Sequence, residues 1–216
     1  MLNNIKVLDF SRYIAGPYCG SLLSAVGAEV VRVEKPEGGE DRFVGPVAPG
    51  LSALFLKTGC GKKSMTLNFR HPDSKKILSR LISKADVIIA NMTNRMLLNN
   101  GLDYESIKSI NSRAILVTQT CFGHKGQWAN LGGFDGIGQA MSGAAYLSGN
   151  NEGARRTAAP YVDYATAALG AFGVLSALIN RQSTNVGDHV QVSLLGSSFG
   201  VFAGPLIEQA VLGLNR

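Results

Sequence analysis

Short apolar runs alternate with helical patterns along most of this chain, and that alternation restricts the fold more than any other feature. "IKVLDFS" (residues 5–11) reads as a strand, "AGPYCGSLLSAVGA" (15–28) has helical spacing at Leu22, Leu23 and Val26, and "EVVRVEKP" (29–36) reads as a second strand stopped by Pro36. The unit repeats in outline. "SMTLNF" (64–69) is a strand, "PDSKKILSRLISKA" (72–85) a helix and "DVIIANM" (86–92) a strand, followed by "YESIKSIN" (104–111) as a helix and "AILVTQT" (114–120) as a strand. Short strands alternating with helices predict an α/β fold: a Rossmann-like, mostly parallel sheet with helices on both faces. Two Gly-bearing stretches, residues 34–53 and 121–136, interrupt the pattern. Ligands in open α/β sheets bind beyond the carboxyl ends of the strands, so both stretches are candidates for the site.

The remaining segments are a long apolar run from Tyr164 to Ile179, then "DHVQVSLLGSSF", an extended piece entering another helix, and "GLNR", in which no helix cap is evident. The apolar run is short of the ~20 residues a membrane span needs, so it reads as a buried helix. With 216 residues, 45% of them hydrophobic, and 26 glycines, the chain suits one large domain, or part of a bigger one, with many close backbone contacts.

A net charge of +6 favours an anionic partner. That partner is nucleic acid, a membrane surface or a phosphorylated small molecule; the basic residues are dispersed, without an aromatic-interleaved stripe, which disfavours nucleic acid. Cys19, Cys60 and Cys121 are far apart and form no C-x-x-C pair, and the N-terminus lacks a signal-peptide pattern; a cytoplasmic, reducing location is expected. His71, His124 and His189 lack metal-ligand spacing and read as surface or loop residues, so no metal is expected.

Glu34 stands where a ribose-binding acid would follow a second strand, but the first turn, "SRYIAGPYCG", is not G-x-G-x-x-G, which argues against a nicotinamide dehydrogenase. Ser197 and Ser198 lie in "LLGSSFG", not G-x-S-x-G, so no hydrolase elbow is present. What is left is Asp163, a lone carboxylate where the apolar run begins. Two readings stand. It is an N-cap whose side chain accepts backbone N–H bonds. Or, kept ionised by the positive end of a helix in an apolar pocket, it is a nucleophile toward an activated acyl group.

Several segments together resemble family III CoA-transferases, the CaiB/BaiF family: "IKVLDFSRYIAGPYCGSLLSAVGAEVVRVEKPEGGEDRF", "GKKSMTLNFRHPDSKKILSRLISKADVIIANM", "GLDYESIKSINSRAILVTQTCFGHKGQ", "GGFDGIGQAMSG" and "YVDYATAALGAFGVLSALINRQSTNVGDHVQVSLL". The resemblance implies that residues 1–216 are the N-terminal part of that family's large domain, with the small domain and the C-terminal return segment absent. It implies a fragment of a longer chain, or half of a split enzyme, and an interlocked homodimer at full length. By the same resemblance Asp163 matches the catalytic aspartate, which passes CoA from an acyl-CoA thioester to a carboxylic acid through covalent aspartyl intermediates.

CoA is then a substrate and no permanently bound cofactor is implied. The resemblance places CoA contacts at Ile14 and Ala15, at Lys35, along Leu67, Asn68, Phe69 and Arg70, and at Asn91, Met92 and Thr93, with Gly133, Phe134 and Asp135 lining the active site. There are departures. Ile14 stands where formyl-CoA transferases carry Gln, Asn99 replaces a nucleotide-end Arg that Arg95 sits near, and Cys121 stands where Gly is usual. The related α-methylacyl-CoA racemases need a histidine that falls at Phe134, so two-base proton transfer lacks a base. A non-catalytic CoA-binding module is the competing class.

Overall fold

The computed structural model describes residues 1–48 and 51–213. The first apolar run is strand β1 (Lys6–Asp9), followed by helix α1 (Ala15–Ala25) and strand β2 (Glu29–Glu34). The stretch after Pro36 is more structured than a bare loop. It holds a 3₁₀ turn at Glu40–Phe43, the small hairpin β3 (Pro46–Ala48) and β4 (Leu51–Ser52), and helix α2 (Ala53–Gly59), capped by Ser52 Oγ accepting from Phe55 N–H at 2.9 Å.

The pattern then resumes with β5 (Lys63–Thr66), α3 (Ser74–Ile82), β6 (Val87–Ala90), α4 (Asn94–Asn100), α5 (Tyr104–Ile110) and β7 (Ile115–Thr120). Helices α6 (Asp135–Met141) and α7 (Ala144–Leu147) precede the long helix α8 (Tyr161–Thr184). Strand β8 (His189–Ser193), α9 (Leu194–Val201) and α10 (Ala203–Leu212) complete the described elements. Gly213, at φ 64°, caps α10 in the left-handed conformation, a cap not evident in "GLNR" from sequence.

The six longer strands form one sheet in the order β5-β2-β1-β6-β7-β8, and every adjacent pair is parallel. Strands buried on both faces read as continuous apolar runs, and β6, "VIIA", is buried at all four positions. One face packs Val7, Val30, Ile89 and Val117 against Leu23 of α1 and Val174 of α8; the other packs Leu8, Ile88 and Leu116 against Leu78 of α3 and Ile107 of α5.

Helix α8 has the length and composition of a membrane span, but half of its apolar window is buried in this fold. It is the core helix expected, extended at both ends. Its glycines permit the close approach: a Cβ at Gly170 would run into Gln119 Nε2 on β7.

Candidate active site

The strand order reverses between β1 and β6: the chain leaves β1 toward β2 and leaves β6 toward β7. Crossovers diverge at such a point and open a crevice beyond the carboxyl ends of the strands. A cavity of about 510 Å³ lies there, walled by the turns after β1, β6 and β7, by the segment before α6 and by the start of α8. Seven of the resemblance-derived contacts meet in it: Ile14 and Ala15 after β1, Asn91, Met92 and Thr93 after β6, and Gly133 and Phe134 before α6. Asp163 joins them from α8.

Asp163 is not the helix cap that one of the two sequence readings made it. Pro160 occupies the N-cap of α8, and the backbone N–H groups of Val162 and Asp163 donate instead to Asp135 Oδ2, at 2.8 and 3.2 Å. Asp135, at the start of α6, is buried, and its other oxygen accepts from Gln139 Nε2; Gln139 Oε1 in turn accepts from Thr157 N–H at 2.9 Å. Asp135 therefore supports the site from behind.

The exchange leaves Asp163 buried, 8% exposed as a residue, with no hydrogen bond to its carboxylate oxygens among the described residues. Burial, reinforced by the Asp135 charge, pushes its pKa up to about 7. The expected ionisation by the helix N-terminus loses, because the nearby N–H groups already serve Asp135.

Arg12, Met92 and Met96 also border a second cavity, of about 360 Å³, so the two spaces adjoin. Lys35, Phe69 and Arg70 line this second space. Leu67 instead points into the core, and Asn68 Oδ1 accepts from Arg70 N–H at 3.0 Å, shaping the turn rather than facing the cavity. Lys35 pairs with Glu40 at 2.9 Å, as does Arg12 at 3.1 Å.

Glu34 is committed elsewhere. It accepts from Arg42 Nη2 at 2.6 Å and from Gly39 N–H at 2.8 Å, with Arg32 beside it. Burial raises its carboxyl, but those partners outweigh burial and hold it down at about 2. That is the physical reason it offers no free carboxylate to a ribose.

Tyr13 and Gln119 carried no sequence signal. Tyr13 lines the cavity at φ 66°, a left-handed backbone uncommon for a residue with a side chain, and its ring meets Phe134 edge-on at 5.2 Å. Gln119 donates from Nε2 to Thr166 O at 3.1 Å, while its Oε1 is buried without a partner. Cys121 is in the wall, its thiol pushed up to about 11 by burial and the Asp163 charge, so it stays protonated. His124 and His189, read as separate surface or loop residues, instead converge on Thr118 behind the β7 strand, and only His71 is freely exposed. No metal-binding cluster is found among the described residues.

The family profile "CoA-transferase family III" matches residues 2–215. The beta subunit of succinyl-CoA–L-malate CoA-transferase of Chloroflexus aurantiacus is 36% identical over 202 residues, which are 92% of this chain and 50% of that protein. Succinate–glutarate CoA-transferase of Agrobacterium fabrum is 34% identical over 221 residues, 98% of this chain and 55% of that one. The crystal structure of a CaiB/BaiF family protein from Brucella suis superposes with a TM-score of 0.93 at 34% identity, covering 100% of this chain and 58% of that chain. The chain spans about half the length of the curated relatives it matches.

Proposed function

The chain belongs to CoA-transferase family III, and from that premise we propose that its protein moves CoA from an acyl-CoA thioester to a carboxylic acid through Asp163. The Asp163 carboxylate attacks the thioester carbonyl, the C–S bond breaks, and CoA leaves as the thiolate while an aspartyl anhydride remains. The thiolate then attacks the aspartyl carbonyl, releasing the first acid as its carboxylate and leaving an aspartyl-CoA thioester. An acceptor carboxylate runs the two steps in reverse and regenerates Asp163. Each step trades one anion for another, so no proton is consumed and a single nucleophile suffices.

The observation that carries this reading is the unpartnered, buried carboxylate of Asp163 in the wall of the crevice cavity. A buried carboxylate without hydrogen bonds is costly, and here a neighbouring aspartate takes the backbone donors that would have quenched it. Among the described residues the cavity wall holds no histidine and no second carboxylate, which favours acyl exchange over two-base proton transfer.

CoA would lie across both cavities, its thioester near Asp163, Ile14, Ala15, Gly133 and Phe134, and its chain past Asn91, Met92 and Thr93. Its phosphates would meet Lys35 and Arg70, with Phe69 beside them and Leu67 and Asn68 backing the turn. Helix α1 begins at this crevice with no side-chain cap, so its positive end favours anions there.

The relatives' names point to dicarboxylic acids as donor and acceptor, and succinyl-CoA with malate or glutarate is the pair to try first. Residues 1–216 would form the N-terminal part of the large domain of a cytoplasmic, homodimeric enzyme. Exposed Phe172 and Ile179 of α8 and Ile207 and Val211 of α10 fit a surface that further protein covers.

Hydroxylamine added with succinyl-CoA tests the mechanism. It should convert Asp163 to a hydroxamate detectable by peptide mass, and Asp163→Asn should abolish both the adduct and turnover while CoA still binds. CoA binding with no adduct in the native protein would mean a non-catalytic module.

A further inference from the structure

The turn after β7, residues 121–134, supplies Cys121, Gly132, Gly133 and Phe134 to the active-site wall, yet two of its anchors lie on the opposite side of that strand. His124 Nε2 sits 2.6 Å from Thr118 Oγ1, and His189 Nε2 sits 2.9 Å from the same oxygen. The ring of Tyr104 stacks on His189 at 5.3 Å. On α4, Asn94 Nδ2 donates to the carbonyls of His124 and Ala129, at 3.4 and 3.3 Å.

The proton positions in this cluster follow from its partners. Gln191 Nε2 is a donor and lies 3.1 Å from His189 Nδ1, so that nitrogen accepts and the His189 proton is on Nε2. His189 Nε2–H then donates to Thr118 Oγ1. The single Thr118 hydroxyl proton is left for His124 Nε2, which must be unprotonated to take it. Thr118 is fully buried, so an imidazolium at His124 would leave the hydroxyl proton with no acceptor.

We propose that His124 is a positioning residue of the active site: as a neutral acceptor for the Thr118 hydroxyl, it holds the 121–134 turn so that Gly132, Gly133 and Phe134 keep their place beside Asp163. Burial lowers His124 below its ordinary value of 6.5. Burial, joined by His124 and opposed by Asp188, lowers His189 to about 4. The titratable groups around the latch are Asp103 and Tyr104 from the start of α5, His189 from β8 and Asp188 just before it, and Lys125 beside it in the chain; α4 contributes Asn94, Leu97 and Leu98 to this cavity. Acidification through the His124 titration should therefore unlatch the turn.

The one tryptophan of the chain, Trp128, lies in this turn, its ring 5.4 Å from Phe122, and reports its state directly. The protein at its natural length is titrated from pH 8 to 5 while Trp128 emission and the affinity for free CoA are followed. The native protein should change emission as pH falls below 6.5 and lose CoA affinity in the same range. His124→Gln, whose amide oxygen can accept from Thr118 without titrating, should keep the pH 8 emission and affinity throughout. His124→Ala should show the unlatched emission already at pH 8 and bind CoA roughly 2–10-fold more weakly.

An identical pH response in native protein and His124→Gln, or unchanged emission in His124→Ala, overturns the latch. Should His124→Ala fail to fold, Thr118→Val removes the donor instead and carries the same expectation. The CoA arm rests on the proposed function: emission changes without any change in affinity would leave the latch standing and overturn its link to the CoA site.

Discussion

Glu34 and Asp163 are both carboxylates buried beside the carboxyl end of one parallel sheet, and they finish at opposite extremes. Burial pushes both toward the neutral acid. Glu34 is nevertheless held at about 2, because Arg42, the Gly39 N–H and Arg32 converge on it. Asp163 rises to about 7, because no donor reaches its oxygens among the described residues and Asp135 adds a like charge. The first region is closed upon itself and holds the turn beside the second cavity. The second is left chemically open, which is what a nucleophile requires. Partner supply, rather than depth, separates the two carboxylates.

The hardest blow to this contrast falls on the closed region. Glu34→Gln leaves Arg32, whose side chain is 2% exposed, with only Asp41 at 2.7 Å, and strips Arg42 of its forked acceptor. Removing one member of a buried ion cluster costs ~3–5 kcal/mol, readable as a lower denaturant midpoint at pH 7. A loss below ~1 kcal/mol would mean that the cluster does not hold this turn. The pH dependence has a definite sign. A carboxyl depressed from 4.5 stabilises fully above 4.5 and loses that contribution as pH falls toward about 2.

The open region should respond in the reverse sense. With a folded-state pKa of about 7 against 3.8, Asp163 keeps a proton in the folded chain that the unfolded chain has lost, so stability declines as pH rises between those values. Asp163→Asn removes that cost. The variant should match the native protein below pH 4 and exceed it at pH 8 by at most ~4 kcal/mol, while turnover is lost. Equal stability at pH 8 would mean that the carboxylate is not strained by its site.

The sequence exposed these two regions unequally. The sheet was legible because its central strands β1, β6 and β7 are short apolar runs between turn residues, and Asp163 because a lone charge opens an otherwise apolar segment. Helices α4, "NRMLLNN", and α6, "DGIGQAM", were not legible, being short and rich in Asn or Gly; tertiary packing holds them where propensity would not. The cap on α8 could not be read either, since Asp135 reaches the Asp163 N–H from 28 positions away in sequence. Local spacing left Asp163 open as the cap of its own helix, and the approach of α6 frees it from that role. The histidine pair was hidden for the same reason: parallel pairing of β7 with β8 sets Leu116 opposite His189, which brings Thr118 within reach of a ring 71 residues away.

The finest test separates the two causes that raise Asp163. In the proposed mechanism its carboxylate is the attacking form, so turnover should fall as pH drops below about 7. Asp135→Asn takes away the like charge and leaves burial in place, so the acidic limb of kcat/KM should move to lower pH. The asparagine oxygen can still accept from the Val162 and Asp163 N–H groups, but its amide then faces the Gln139 Nε2 donor, at a cost of ~1–3 kcal/mol. Gln139→Glu, paired with Asp135→Asn, restores a donor–acceptor match at that contact and should recover stability. A limb that stays near 7 in Asp135→Asn would assign the shift to burial alone and leave Asp135 purely a cap. A limb that moves would make the cap of α8 also the group that sets the pH at which its neighbour attacks.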